Sequence, residues 1–346
     1  MTDADKVADK INKIIYDLQH KRLSQLNSSN ISKLWTAVRS VSDKVGLSQP
    51  DLLFSLPIDE INQFFAKIST TDAYDISDIE TLYNDIPNVH INDEITPIVV
   101  EKMLRTMKST SAGYDDIQAW VFKTCSYELA DIVTFIVYRS IELGQVPSNW
   151  QKSIVTPIAK TSNPRSIAEY RPISVTPTLS RLTEQLVVAR YLRPSMFAET
   201  LRDQFAYKPT GSTACALIKT IHHITEAFNT GSKYVRVLLI DFSKAFDTVD
   251  HQIIIRKINQ LDLPPNVKNW LISFLVNRIQ ITKVNGKFSG SARINRGVVQ
   301  GSALGLFLFM LLISDLCPVS ILNSYVKYAD DLTIIVPELS NTGLDI

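Results

Sequence analysis

Two adjacent carboxylates, Asp330 and Asp331, are the side chains of this sequence best suited to chemistry. Short apolar-rich stretches flank them, residues 322–327 and 332–336, and these predict the two arms of a β-hairpin. Like-charge repulsion makes neighbouring carboxylates at a tight turn unfavourable unless cations neutralise them. Because Mg²⁺ prefers carboxylate oxygens combined with substrate phosphates, the pair indicates a divalent-cation site. By itself, such a pair is more typical of a solvated turn.

A third carboxylate, Asp241, follows residues 235–240, an apolar and β-branched run that predicts a buried strand. A carboxylate at the end of a buried strand is unfavourable unless it binds a partner. A helix-like pattern comes next, and Asp247 within it is expected to cap or to pair locally. Asp241 is therefore a second candidate for a bound ligand.

Between the two acidic sites lies a glycine-punctuated loop, residues 296–305, that opens an apolar helix. Ser302 is the expected N-cap of this helix. The apolar stretch that follows is shorter than the roughly 20 residues needed to cross a bilayer, so we interpret it as a buried core helix.

These blocks, in this order, resemble a reverse transcriptase of the non-LTR retrotransposon type, in its jockey-like group. Asp241 with Phe246 is similar to the first catalytic-aspartate motif of that family, and residues 328–331 are similar to its paired-aspartate motif. Residues 297–305 resemble its Gln-Gly-Ser motif. Four upstream blocks fit the family as well: residues 111–117, 150–160, 170–174 and 204–213.

The resemblance implies an RNA-directed DNA polymerase that adds dNTPs to a primer 3′-hydroxyl with two Mg²⁺ ions, for which Mn²⁺ could substitute. Asp241, Asp330 and Asp331 are then the catalytic residues and metal ligands, with the backbone carbonyl of Phe242 as a further ligand. Two metal ions can activate the hydroxyl and neutralise the leaving pyrophosphate. The implied partners are an RNA template, a DNA primer and dNTPs.

The resemblance also implies four residues for dNTP binding. Lys160 and Arg171 would approach the triphosphate from a hairpin of the fingers, because ammonium and guanidinium groups suit phosphate oxygens. The ring of Phe246 would exclude a ribose 2′-hydroxyl. Gln300 would lie near the incoming nucleotide and the template base, since its amide can both donate and accept hydrogen bonds.

Gly297, Gly301 and Ser302 would form a loop beside template and primer, where glycine lets the backbone pass close to bases. Two departures from the family pattern fall in and near this loop. Val299 and Leu306 stand where the family usually has proline, which fixes φ and stiffens such a loop. Activity is therefore expected to be impaired.

The order of predicted elements indicates an α+β fold, a right-hand polymerase with fingers and a palm whose antiparallel sheet packs on helices. Residues 1–71 are expected to be a helical N-terminal extension, residues 72–95 an acidic linker, and residues 96–346 the fingers and palm. The family's thumb is expected to be missing, because the chain stops soon after the paired aspartates. We therefore expect a truncated part of a longer retroelement polyprotein that also carries an endonuclease.

The bulk composition fits an intracellular protein that contacts nucleic acid. The net charge is only +1, but residues 152–193 and 256–296 are strongly basic and suit phosphate contact. Three widely spaced cysteines predict a reducing compartment. The N-terminus lacks a signal-peptide core, so a nuclear or cytoplasmic rather than secreted protein without a membrane span is expected.

Two other functions stay open at this point. The chain could be a catalytically impaired remnant of a retroelement that still binds nucleic acid, which Val299, Leu306 and the expected lack of a thumb favour. It could also resemble a group II intron maturase, although that would need a downstream maturase region. Retention of all three aspartates favours the polymerase.

Overall fold

The computed structural model describes residues 56–73, 95–196 and 201–340, apart from residues 202 and 209, together with Leu53. The chain divides into two compact units, Met1–Ser55 and Leu56–Ile346. The helices expected within residues 7–18 and 31–45 lie outside the described residues. The domain boundaries expected at residues 72 and 96 stay a prediction.

The described part of the second unit mixes helices and strands. Its helices are α1 (Ile58–Ile68), α2 (Pro97–Thr106), α3 (Ala119–Thr124), α4 (Ser126–Glu142), α5 (Thr178–Val187), α6 (Arg193–Met196), α7 (Thr213–Asn229), α8 (His251–Gln260), α9 (Pro265–Leu275) and α10 (Ala303–Leu312). Its strands are β1 (Lys152–Ala159), β2 (Tyr170–Val175), β3 (Val235–Asp241), β4 (Arg278–Val284), β5 (Lys287–Phe288), β6 (Ala292–Ile294), β7 (Ser324–Tyr328) and β8 (Asp331–Pro337).

The first sheet contains the predicted fingers hairpin. Strands β1 and β2 pair antiparallel, which confirms the hairpin expected from the sequence. The strands β4 and β5 also form a hairpin, whose turn residues Asn285 and Gly286 have φ values of 51° and 79°. Both residues favour such left-handed conformations, as the Asn-Gly signal predicts. Strand β1 pairs in parallel with β4, a long-range pairing that the sequence pattern does not indicate.

The second sheet is the three-stranded antiparallel palm sheet, in the order β3-β8-β7. Strands β7 and β8 form the hairpin predicted around the paired aspartates. Helix α7 packs against the sheet through a small apolar cluster that includes Ala216, Val326 and Ile335. The α+β fold class, with an antiparallel palm sheet packed on helices, is confirmed.

The prediction that β3 is a buried strand is wrong. Most of its residues are exposed, and the side chain of Leu239 is 81% exposed. The physical reason is its position, because β3 lies at the edge of the sheet and, among the described strands, pairs only with β8. Its apolar pattern indicates a strand correctly but does not show whether a neighbour covers it.

The main apolar core joins α10 to helices α4, α5, α8 and α9. Helix α10 is buried along most of its length, as predicted, with Leu304 and Leu308 almost fully covered. Within the described ranges, no helix has the length and apolar character needed to cross a lipid bilayer.

Helix α1 packs on strands β4 and β6 of the first sheet. Its buried Asn62 donates a hydrogen bond to the carbonyl of Gly290 at 2.9 Å and accepts one from the hydroxyl of Thr282 at 2.9 Å. Just after the helix, the carbonyl of Ser69 accepts hydrogen bonds from the amides of Asn295 and Arg296. These contacts fix α1 beside the loop that begins at residue 297.

Candidate active site

Three aspartates lie in or beside the strand ends at one end of the palm sheet. Asp241 ends β3, Asp331 begins β8, and the two residues are direct cross-strand partners. Side chains of such partners lie on the same face of a sheet, and like charges directly opposite each other are destabilising. Asp330 lies in the turn before β8, next to Ala329, which has a φ of 55°. The turn therefore places Asp330 beside the sheet end at which Asp241 and Asp331 are paired.

The turn that carries Asp330 is held by Gln204, a buried residue. Its side-chain oxygen accepts a hydrogen bond from the amide of Ala329 at 3.0 Å, and its amide nitrogen lies 3.5 Å from the carbonyl of Ala329. The amide of Phe205 also donates to the carbonyl of Lys327 at 2.9 Å. Residue 204 belongs to a block that resembles the family, but no role was predicted for its side chain. It positions the turn.

A cavity of about 480 Å³ opens beside these carboxylates. It brings together most of the residues predicted for the site, from elements far apart in the sequence. These are Asp241, Phe242, Phe246, Gln300 and Asp330 together with Lys160 and Arg171. Asp331 does not line the cavity, but it lies directly opposite Asp241 on the neighbouring strand. The cavity therefore combines aspartates with basic side chains, among which Lys244 comes from the same segment as Asp241.

The two predicted phosphate-binding cations lie on the fingers hairpin. Lys160 follows β1, and its side chain donates a hydrogen bond to the carbonyl of Ala168 at 2.9 Å. Arg171 belongs to β2 and pairs across the hairpin with Ile158. Both cationic side chains are exposed. They can therefore exchange water for phosphate oxygens without breaking a buried contact.

The helix-like pattern after Asp241 does not form a helix at once. Residues 243–248 form a series of turns, in which Lys244 has a φ of 53°, and helix α8 begins only at His251. A positive φ at a lysine interrupts a right-handed helix. Phe246 lies in these turns and packs its ring against Phe309 of α10, with ring centroids 4.9 Å apart.

Backbone hydrogen bonds join the glycine loop to these turns. Gly297 is buried with a φ of 84°, and a Cβ atom there would lie 2.7 Å from the carbonyl oxygen of Asp247. The amide of Gly297 donates to the carbonyl of Val249 at 2.8 Å, and that of Val298 to the carbonyl of Phe246 at 2.7 Å. Only glycine satisfies both the conformation and the close approach.

The second half of the loop ends in helix α10. The hydroxyl of Ser302 accepts a hydrogen bond from the amide of Gly305 at 2.8 Å, which confirms Ser302 as the N-cap. Ser302 is buried, so its side chain stabilises the backbone of the loop rather than facing solvent. Gly301 is exposed, with a φ of 104°. The side-chain oxygen of Gln300 is buried and has no hydrogen-bond partner among the described residues.

Asp247 faces the cavity rather than capping the helix that follows. Asp250 caps α8, and its carboxylate accepts hydrogen bonds from the amides of Gln252 and Ile253. Burial raises the pKa of Asp247 to about 6, against the opposing effect of the Lys244 and Lys160 ammonium groups. Asp247 therefore changes its charge near neutral pH, inside the wall that also carries Asp241.

The sequence analysis missed one wall of the cavity altogether. Phe64, Phe65 and Ile68 of helix α1 line it, although α1 lies far upstream of the aspartates. The adjacent phenylalanines were a usable signal, because neighbouring residues of a helix do not face the same direction. In the structure Phe65 lies on the buried face of α1, whereas Phe64 is partly exposed.

Comparison with known proteins gives a consistent result. Residues 158–344 match a family model described as "Reverse transcriptase (RNA-dependent DNA polymerase)". The chain is 28% identical over 286 residues to the "Probable RNA-directed DNA polymerase from transposon BS" of Drosophila melanogaster, covering 78% of this chain and 30% of that protein. It is 29% identical over 252 residues to the "Probable RNA-directed DNA polymerase from transposon X-element" of the same species. That alignment covers 69% of this chain and 27% of the X-element protein.

A solved telomerase structure from Candida tropicalis superposes on this chain with a TM-score of 0.42 and 12% sequence identity. The superposition covers 56% of this chain and 37% of the telomerase chain. Because this TM-score is below 0.5, the fold assignment rests on the strand pairing and helix packing described above. The chain spans less than a third of the length of the two transposon proteins it matches.

Proposed function

The chain belongs to the reverse transcriptase family, and we propose that it supplies the fingers and palm of an RNA-directed DNA polymerase of a non-LTR retrotransposon. Its partners are an RNA template, a DNA primer and dNTPs, and it acts as part of a longer polyprotein. One observation carries this proposal. Asp241 and Asp330 share a single cavity with the exposed cations Lys160 and Arg171, as binding a metal-bound triphosphate requires.

The donors at the end of the palm sheet suit hard cations, because carboxylate and carbonyl oxygens are the ligands that Mg²⁺ prefers. Asp241 and Asp330 would hold two Mg²⁺ ions, supported by Asp331 and the carbonyl of Phe242, and Mn²⁺ could replace them. Bound there, the ions would activate the primer hydroxyl and stabilise the leaving pyrophosphate. Within the described residues, no three His, Cys, Asp or Glu side chains could hold an ion together. Water and triphosphate oxygens would complete the coordination.

The remaining side chains orient the substrate. Arg171 offers a planar fork, and Lys160 a point charge, to the triphosphate oxygens. Gln300 lines the cavity, where its side-chain amide would lie near the nucleotide. The Phe246 ring closes the site beneath the sugar.

The alternative, a nucleic-acid-binding remnant without turnover, rests on Leu306, on the expected lack of a thumb and on a glycine loop loosened by Val299. The observed contacts argue against loosening. Val299 is buried, and its carbonyl accepts a hydrogen bond from the amide of Ser302 at 3.1 Å. The backbone bonds of Gly297 and Val298 hold the other end of the loop. Hydrogen bonds thus supply the stiffness that proline would give, which favours a catalytic site.

Primer extension on an RNA template tests the proposed function. We expect the chain, joined to the segment that follows the matched region in the transposon BS protein, to add dNTPs in Mg²⁺. Removal of the metal with EDTA should abolish extension, because the carboxylates cannot act alone, and added Mg²⁺ or Mn²⁺ should restore it. Extension that continues in EDTA, or that ignores the template sequence, would contradict the proposal.

Substitution of Phe246 tests the sugar contact. We expect Phe246→Ala to increase ribonucleotide incorporation relative to deoxyribonucleotide, by about 1–3 kcal/mol of discrimination, because one hydroxyl gains space. Competition between matched rNTP and dNTP pairs in one reaction measures the ratio. Phe246→Tyr, which keeps the ring, should retain the wild-type ratio. An unchanged ratio in Phe246→Ala with normal dNTP incorporation would assign the ring to the core alone.

A further inference from the structure

Helix α1 supplies the apolar wall of the candidate nucleotide cavity. Phe64, Phe65 and Ile68 line this wall, whereas the other sides carry the carboxylates and the two fingers cations. A triphosphate needs the charged sides, so the apolar wall remains for the base and sugar. The wall comes from a part of the chain that the family match, residues 158–344, does not include.

The wall is held in place by polar contacts that α1 makes one turn before the apolar residues. Asn62 is only 1% exposed, and its side-chain oxygen accepts hydrogen bonds from the Gln280 amide at 3.2 Å and the Thr282 hydroxyl at 2.9 Å. Asp59 accepts a hydrogen bond from the amide of Gly290 at 2.7 Å. Since a buried polar group must keep its partners, α1 cannot slide along the sheet without loss of stability. The cavity wall is therefore preformed.

The two rings of the wall differ in exposure. Phe65 is 2% exposed and belongs to the packed interior, whereas Phe64 is 36% exposed. The rings meet edge to face, with centroids 5.8 Å apart and planes at 75°. Phe65 therefore supports Phe64, which keeps part of its surface free towards the cavity. An aromatic face held in this way suits stacking with a base of any sequence.

We propose that Phe64 binds the nucleoside part of the incoming dNTP and positions it for transfer. This assignment rests on the proposed function, because it requires the same cavity to hold a dNTP. In this arrangement, two parts of the cavity bind different parts of the dNTP. The fingers cations bind the triphosphate, and the ring of Phe64 contacts the base and sugar.

Two ligands separate these contributions in the full chain. The affinities of dATP and of inorganic tripolyphosphate are measured in Mg²⁺ by competition with a fluorescent deoxynucleotide. We expect Phe64→Ala to weaken dATP binding about tenfold, in line with aromatic–base stacking, and to change tripolyphosphate binding less than twofold. Phe64→Tyr should bind dATP like the wild type. Gln63→Ala, an exposed neighbour on the same helix, is the matched control and should change neither affinity.

Each outcome is decisive. If Phe64→Ala weakens both ligands equally, the ring only holds the helix in place and the inference is overturned, and a lowered melting temperature would accompany that result. If Phe64→Ala changes neither affinity, the ring does not contact the nucleotide. Arg171→Ala tests the proposed function separately and should weaken both ligands. A wild-type chain that binds neither ligand, or an Arg171→Ala chain that binds both normally, would refute the nucleotide site itself.

Discussion

Replacing Asp330 or Asp241 with asparagine is expected to reduce templated DNA synthesis at least about a thousandfold while the protein stays folded. The amide cannot supply the negative charge needed to hold two cations, and metal ions stabilise transition-state charge by several kcal/mol. Each ~1.4 kcal/mol corresponds to a tenfold change in rate, so the loss should span orders of magnitude. Single-turnover primer extension on an RNA template, with the fused chain described above, measures it.

The Asp241→Asn substitution should leave the free energy of unfolding unchanged or slightly increase it. Asp241 lies opposite Asp331 across the sheet, and removing one charge of a like-charged cross-strand pair relieves repulsion. Thermal melts in the absence of metal test this point. Asp262→Asn, an exposed carboxylate in the loop after α8, is the control and should retain normal synthesis. Retention of more than about a tenth of wild-type activity by Asp330→Asn or Asp241→Asn would refute the catalytic assignment.

Loss of the Arg278 guanidinium is expected to cause a large decrease in the free energy of unfolding. Arg278 and Glu184 are 1% and 0% exposed, and each affects the pKa of the other. Burial raises the pKa of Glu184 and lowers that of Arg278 to about 10, while the opposite charge of the partner counteracts both shifts. Each charge thus makes burial of the other tolerable.

Glu184 also interacts with the glycine loop and the start of α10. Glu184 accepts a hydrogen bond from the hydroxyl of Ser180 at 3.1 Å, and the hydroxyl of Ser302 and the amide of Leu304 also stabilise its charged form. The guanidinium of Arg278 lies 4.8 Å from the centroid of the Phe274 ring. The loop that carries Gln300 therefore lies beside two buried opposite charges, Glu184 of α5 and Arg278 of β4, which act on each other without a direct hydrogen bond among the described residues.

We expect Arg278→Met to lower the free energy of unfolding by about 3–5 kcal/mol, because it leaves a buried carboxylate without its cation. A thermal midpoint roughly 10 °C lower would follow for a chain of this size. The double variant Arg278→Met with Glu184→Leu should recover most of the loss, since neither buried charge remains. Arg293→Met, an exposed arginine of neighbouring β6, serves as the control. If Arg278→Met and the wild type had equal melting temperatures, the attraction between Arg278 and Glu184 would contribute nothing to stability.

Local sequence patterns determined much of the fold and of the candidate site. The hairpin at the paired aspartates, the fingers hairpin and the buried helix α10 with its Ser302 cap all follow from periodicity and turn chemistry. Seven of the eleven residues that the motifs predicted for the site line one cavity. Each of these features depends on residues close together in the sequence, or on a motif whose order alone is informative.

Only the tertiary structure decided which surfaces meet. The apolar pattern of β3 could not show that it lies at a sheet edge with Leu239 exposed. The contacts of Asn62 with Thr282, 220 residues away, and of Gln204 with Ala329, 125 residues away, leave no periodic trace in the sequence. Side-chain periodicity reports which face of an element is apolar, whereas its neighbour depends on the packing of the whole chain. The wall that contains Phe64 arises from such packing.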